Sequence, residues 1–359
     1  MLKPFKPDYL PITLSQDDII YLYKLALEAR VKIERFNSLL ERSIISDEAL
    51  VFFSLQESIE STKIEGTQTT FSEIMEADIT GYRSNDIQEV MNYLEALNHG
   101  KERLNLIPIS TRLFLELHNI ILKDSRGQNR SPGEYRRIQN FIGPTNDPKD
   151  ATYIPPEPNS VPEYMSNLEK YINNEYDDQL DYMIRAAIIH AQFETIHPFL
   201  DGNGRLGRIL IMLYLLDKKV ISKPAFFVSE ELEKSKYKYY GLLNSLRSSS
   251  PKWKDWIEYF LKASIKQADK NIDKLIKIET ILSEMQDFAE KNNVRQDLIS
   301  FIFRKPFFTI NEVQTQLNIS YNTANLHVQR LVKSNKIFAD DKKRNRIFRF
   351  YDILEVLEG

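Results

Sequence analysis

Apolar residues return at intervals of three and four along most of this chain, the spacing of one face of an α-helix. The first such stretch, IIYLYKLALEARVKIERF, follows Ser15 and Asp18, a pairing that reads as a helix start. The same periodicity runs through residues 48–66, 86–104, 110–123, 160–173, 179–195, 205–217 and 231–247 and predicts a helix over each. The interruption is Phe141–Pro162, which holds six of the fifteen prolines and reads as an exposed loop or short hairpin. From Trp253 to Asn292 the pattern is helical again. There Leu275, Ile278, Leu282, Met285 and Ala289 form a seam that packs on the chain's own core or pairs two copies as a homodimer.

After residue 293 the texture changes. VRQDLISFIFRK, TINEVQTQLN and SYNTANLHVQRLVKSN read as three helices, and IFADDKKRNRIFRFY as two strands around a charged turn, a winged helix-turn-helix pattern. The expected fold is all-α: a helical bundle with a short β-hairpin, then a small winged helix-turn-helix domain. The expected units are 1–105, 106–250, a connector at 251–292, and 293–359.

Composition narrows the class. With 42% hydrophobic and 28% charged residues over 359 positions, the chain is a globular protein of two or three units. A formal net charge of −3 argues against whole-chain binding to nucleic acid or acidic membranes. Residues 290–359 nevertheless carry 12 Lys and Arg against 8 Asp and Glu, with Lys342, Lys343, Arg344 and Arg346 at the supposed wing. There is no cysteine, which excludes disulfides and thiolate zinc sites. No signal-like start and no long uncharged apolar run is found, so the expectation is a cytoplasmic protein that does not enter membranes.

Candidate chemistry concentrates in HPFLDGNGRLGR, residues 197–208. Gly202 and Gly204 around Asn203 allow a sharp turn whose backbone N–H groups converge on an anion. The helix that begins there adds its free N–H groups and positive dipole end. Arg205 and Arg208, three apart, disfavour that dipole unless a polyanion is present, and a di- or triphosphate fits. Asp201 supplies a hard oxygen ligand of the kind that holds magnesium beside phosphates. His197 titrates near neutrality and can take a proton from a hydroxyl. His190, seven residues earlier, reads as a buried helix residue, because that spacing is unusual for metal ligands.

The stretch resembles the Fic family signature HxFx(D/E)GN(G/K)RxxR at every specified position. That resemblance implies an all-α Fic-type bundle with a hairpin flap, and transfer of AMP from ATP to hydroxyl side chains of proteins. It implies that His197 is the base, that Asp201 holds Mg²⁺, and that Gly202, Asn203 and Gly204 with Arg205 bind the α- and β-phosphates. Arg208 then takes the γ-phosphate, with Leu206 and Gly207 in the same nucleotide-binding stretch. Glycine rather than lysine at 204 favours AMP transfer.

Ser61-Thr62-Lys63-Ile64-Glu65-Gly66 resembles the family's inhibitory motif, (S/T)xxxE(G/N). Ser61 and Glu65 share a helix face, and Gly66 suits a left-handed helix end. The resemblance implies that Glu65 pairs with Arg208 in competition with the γ-phosphate. SPGEYRRIQNFIG and ATYIPPEP resemble the flap that aligns targets, with Tyr153 and Ile154 as candidate contacts. Tyr240 resembles the aromatic residue that lines the adenine pocket. Residues 1–105 thus carry the inhibitory motif and 106–250 the catalytic core. The implied partners are ATP, Mg²⁺ and a protein bearing a Ser, Thr or Tyr hydroxyl, the chain itself included. The alternatives are a DNA- or protein-binding regulator acting through the winged helix, and removal of AMP or transfer of another phosphate-linked group at the same site.

Overall fold

The structure, a computed structural model, describes residues 3–143, 145, 147–176, 178–342 and 346–358. Helices appear where the spacing predicts them, except that the stretch 231–247 is divided at Ser235 into two. The first, α1 (Gln16–Arg42), starts at the expected serine, whose Oγ accepts the Asp18 N–H at 3.2 Å. It is followed by α2 (Ser46–Ile64), α3 (Phe71–Thr80), α4 (Asn85–Arg103), α5 (Thr111–Ile121) and α6 (Val161–Ile172). The periodicity missed α3. Its ten residues are announced instead by a capping box, in which Thr70 and Glu73 satisfy each other's backbone N–H.

The centre is a helical hairpin. In α7 (Tyr182–Ile196) every residue from Met183 onward is buried, and α8 (Asn203–Asp217) is almost as enclosed. Helices apolar all round occupy a core rather than border one. Residues 197–202 join them, so the candidate loop is fixed at both ends by the best-packed part of the molecule. Two short helices, α9 (Ser229–Lys234) and α10 (Lys236–Ser245), lead to α11 (Trp253–Lys291). The 39-residue α11 lies along α1, and Trp256 Nε1 donates to the Ala187 carbonyl of α7 at 2.8 Å.

The proline-rich stretch is less regular than a hairpin: Ile142 and Tyr153 form an isolated antiparallel bridge, with single 3₁₀ turns at Pro148–Asp150 and Pro158–Ser160. Beyond α11 come α12 (Gln296–Arg304), β1 (Phe307–Phe308), α13 (Ile310–Leu317), α14 (Tyr321–Lys333), β2 (Phe338–Ala339), β3 (Phe348–Arg349) and α15 (Tyr351–Glu358). The strands form an antiparallel sheet in the order β1-β3-β2. The sequence reading gave the three helices and the last two strands, and omitted β1 and α15.

The seam on α11 is filled within one chain. Leu275, Ile278, Leu282, Met285 and Ala289 are all buried, and α12 and α15 pack on this helix. The pattern therefore gives no reason to expect a homodimer. This C-terminal module also touches α2 and α3. Arg304 pairs with Glu48 at 3.2 Å, Lys305 with Asp78 at 2.8 Å, and Arg349 with Glu76. The Leu357 carbonyl, near the end of α15, accepts from Gln56 Nε2 of α2 and Lys274 Nζ of α11, each at 3.0 Å. Among the described residues, no helix is long and apolar enough to cross a membrane.

Candidate active site

Helix α7 ends at His197, whose backbone is left-handed (φ 48°, ψ 62°). Two guanidinium groups satisfy the carbonyls freed there: Arg136 Nε donates to the His197 carbonyl at 2.9 Å, and Arg247 Nη2 to that of Glu194 at 3.1 Å. Cations suit a helix C-terminus, but here they also surround an imidazole. Burial, then Arg247 and Arg136, lower the His197 pKa to about 3. Its Nδ1 is buried without a hydrogen-bond partner, while the side chain keeps 17% exposure. The reachable nitrogen is therefore Nε2.

The turn that follows is held by its own side chains. Asn203 Oδ1 accepts the Phe199 N–H and its Nδ2 donates to the Phe199 carbonyl, both at 2.9 Å. Phe199 stacks on His118 with ring centroids 3.8 Å apart. The Gly133 N–H donates to His118 Nδ1 at 2.9 Å, so the His118 proton is on Nε2 and is donated to the Asp201 carbonyl at 3.0 Å. Burial lowers the His118 pKa to about 4 and keeps the ring neutral. Gly202 caps α8 with φ 76°, a conformation that favours glycine.

Asp201 keeps 42% of its side chain exposed, and its Oδ1 accepts from the Gly202 N–H at 2.5 Å and Arg205 Nη2 at 3.1 Å. A Cβ at Gly127 would lie 3.1 Å from Oδ2, so glycine at 127 keeps that oxygen accessible. One exposed carboxylate beside an anion cradle fits a magnesium ion that arrives with phosphates. Among the described residues, no three His, Cys, Asp or Glu gather to bind a metal unaided, His190, His197 and Asp201 included. His190 is buried between Gly207 and Tyr239: its Nδ1 donates to the Gly207 carbonyl at 3.1 Å, and its Nε2 accepts the Tyr239 hydroxyl at 2.9 Å.

The two arginines of α8 reach different partners. Arg205 is nearly buried, 3.4 Å from Glu89 of α4 and 3.1 Å from Asp201. Arg208 is fully buried: its Nε donates to Ser61 Oγ at 2.7 Å, and its Nη2 to the Ser61 carbonyl at 2.9 Å and to Glu65 Oε1 at 2.7 Å. Burial alone disfavours its charge, but the Glu65 carboxylate outweighs that and raises the Arg208 pKa. Nη1 is buried and unpartnered. Gly66, at φ 103°, turns the chain away just past Glu65, as the motif requires. Gly204 admits the carboxylate, because a Cβ there would lie 2.2 Å from Glu65 Oε1. The charge on the two arginines is thus met by Glu89, Asp201 and Glu65.

Not every sequence candidate faces this space. Leu206 is buried in the hydrophobic core, and a Cβ at Gly207 would lie 2.8 Å from Glu194 Oε1, so that glycine serves the approach of α8 to α7. Tyr240 is 37% exposed beside Tyr239, near the end of α2. Tyr153 is buried under Arg247, whose guanidinium lies 3.8 Å from the ring centre, and the Ile154 carbonyl accepts the Phe5 N–H at 2.9 Å. These two therefore anchor the flap base rather than present an open edge. The sequence reading missed Glu57, Glu89, His118, Arg136, Glu194 and Arg247. Of these only Glu194, one helical turn before His197, was signalled by spacing.

Residues 108–215 match the profile of the Fic/DOC family, and residues 23–102 that of the Fic/DOC family N-terminal region. Over 110 residues the chain is 33% identical to a protein adenylyltransferase Fic of Drosophila willistoni and 34% identical to that of Drosophila melanogaster. Each match covers 31% of this chain and 20% of the relative, so the chain spans about a fifth of the length of these curated relatives. A Fic family protein from Desulfovibrio desulfuricans G20 superposes with a TM-score of 0.58 at 19% identity, over 96% of this chain and 98% of that one. Fic-1 of C. elegans superposes with a TM-score of 0.55 at 22% identity, over 71% and 72%. These likenesses establish the fold.

Proposed function

Because the chain belongs to the Fic/DOC family, we propose that it transfers AMP from ATP to a Ser, Thr or Tyr hydroxyl of a protein, itself included, and that its own Glu65 represses the transfer. The observation that carries this reading is the Glu65–Arg208 pair beside the anion cradle. A buried guanidinium with a free Nη1, met by a carboxylate from another helix, is a site where one anion stands in for another. A γ-phosphate competes with Glu65 for that fork.

In the transfer, the target oxygen bonds to the α-phosphorus, the bond to the bridging oxygen breaks and pyrophosphate leaves. The hydroxyl proton passes to His197 Nε2. Arg208 orients the terminal phosphate, Arg205 and the N–H groups at the start of α8 hold the inner ones, and Tyr240 borders the adenine. Asp201 would hold Mg²⁺, which when bound neutralises charge on the phosphates.

Incubation with radiolabelled ATP, followed by intact-mass measurement, tests this: a gain of one AMP is expected. His197→Ala should lose on the order of 10² to 10⁴ in rate while ATP binding persists. A variant keeping more than about a tenth of the wild-type rate rules out His197 as the base.

Within the same proposal, residues 293–359 are a winged-helix unit for partner binding. Tyr321 and Leu326 are half exposed on α14, and Arg346 turns back to the Asp340 carbonyl at 2.8 Å. Lys342 is exposed; Lys343 and Arg344 lie outside the described residues. Two half-exposed apolar side chains on the outer helix, together with an arginine drawn back onto Asp340, favour a protein over DNA phosphates.

A further inference from the structure

A buried polar atom without a partner lies at the end of α7: His197 Nδ1, with the Glu194 carboxylate one helical turn back and its Oε2 4.0 Å away. An unpaired buried polar atom is costly, and one beside a carboxylate marks a contact reserved for another state. If Nε2 accepts the target's proton, its lone pair must be free and the ring's own proton must be on Nδ1. That N–H needs an acceptor. The Glu194 backbone carbonyl faces the ring but also accepts from Arg247 at 3.1 Å, and the Glu194 carboxylate is the charged acceptor within reach.

Charge points the same way. Arg136 and Arg247 flank His197, and both oppose the imidazolium that forms on proton transfer. Glu65 is committed to Arg208, so the anion next to the ring is Glu194. The Glu194 carboxyl is faced by His197, by Arg208 of α8, by Glu65 at the end of α2, by Tyr239 and Tyr240 of α10, by Arg247 and, across Gly207, by His190.

We propose that Glu194 is a positioning residue acting through His197: its carboxylate receives the Nδ1–H, fixes Nε2 as the basic nitrogen and offsets the imidazolium. The contact closes from 4.0 Å to hydrogen-bond length when the target docks, as catalytic contacts often tighten only in the substrate complex. No proton beyond the target's is transferred, and that proton ends on Nε2. Burial raises the Glu194 pKa to about 7, so its carboxylate form is gained as pH rises through neutrality.

The proposal rests on the AMP-transfer reading, and two measurements separate the fates of the two. The first is independent of transfer: ¹⁵N-histidine NMR titration of the full chain, with His197 assigned by comparison with His197→Gln. Glu194→Gln should leave His197 harder to protonate and change its Nδ1 signal; an unchanged tautomer and titration would overturn the proposal. The second is kinetic, on the Glu65→Gly background. Glu194→Gln should lower kcat on the order of 10²-fold with the KM for ATP unchanged, and should abolish the rise in rate through about pH 7. A uniform loss that keeps this pH limb marks a packing role and also overturns it. Glu194→Asp, which keeps the charge, should restore part of the rate and the limb, and failure of this rescue counts against the proposal. If the NMR coupling is present and no variant transfers AMP, the functional reading fails and the His197–Glu194 pair stands.

Discussion

Helix α2 is held in two ways, and the contrast shows where control over it resides. On the side facing α8, Ser61 and Glu65 grip one fully buried arginine through three bonds of 2.7–2.9 Å. On the side facing the C-terminal module, Glu48 meets a largely exposed Arg304 and Gln56 caps α15, while Glu76 and Asp78 of the neighbouring α3 complete a rim of ion pairs. Exposed pairs contribute little, because water and salt screen them. That contact draws its strength from apolar burial, whereas the buried junction depends on one charge match. The first is robust and indifferent to small ligands; the second is open to competition by any anion of suitable shape.

The largest break is expected in the apolar seam under the module. Ile278→Ala leaves a cavity beneath α12 and α15 and should cost about 2–5 kcal/mol, read by thermal or urea unfolding. Next comes the buried junction. Glu65→Gly should raise AMP transfer about ten-fold or more by freeing Arg208 to position the phosphates, and Arg208→Ala added to it should cancel the gain. A folded, ATP-binding Glu65→Gly protein that transfers no faster than wild type would refute repression by this residue.

A subtler change concerns Glu57, one helical turn before Ser61. Tyr93 and Ser229 donate to its Oε1 at 2.7 and 2.5 Å, and burial raises its pKa from 4.5 to about 7. With the folded value above the unfolded one, its stabilising contribution is full below about pH 4.5 and is lost as pH rises through about 7. Melting temperature should therefore fall less between pH 5 and 8 in Glu57→Gln than in wild type. The smallest effect belongs to the rim: Arg304→Glu should shift stability by less than about 1 kcal/mol, and less still at high salt. A shift of several kcal/mol there would show that the exposed pairs carry the contact.

Much of this architecture was legible because helices write their buried face into the sequence. Ser15 marked the start of α1, and the spacing of Leu275, Ile278, Leu282, Met285 and Ala289 gave the buried edge of α11. The helix that escaped, α3, is too short for its period to stand out, and its capping box was the better signal. At the site, HPFLDGNGRLGR and the Ser61–Gly66 motif named the residues that meet. They did not reveal that Asn203 spends its amide on Phe199, or that Arg205 leans on Glu89. Nor did they point to His118, Arg136 and Arg247, which come from other segments and join the loop only through folding. Long-range pairing of this kind leaves no local period to read.

The hydrogen bonds from Gln56 and Lys274 to the Leu357 carbonyl tie the last turn of the chain to the helix that bears Glu65. Two equilibria, docking of the module and release of Glu65 from Arg208, therefore run through one rigid body nineteen residues long. Thermodynamic linkage makes such coupling reciprocal. On the proposed reading, in which ATP displaces Glu65, a partner that binds the module more tightly when α2 is displaced raises the affinity for ATP by the same factor, and ATP raises the affinity for that partner in return. The helix that bears Glu65 is in this sense a single lever with a grip at each end.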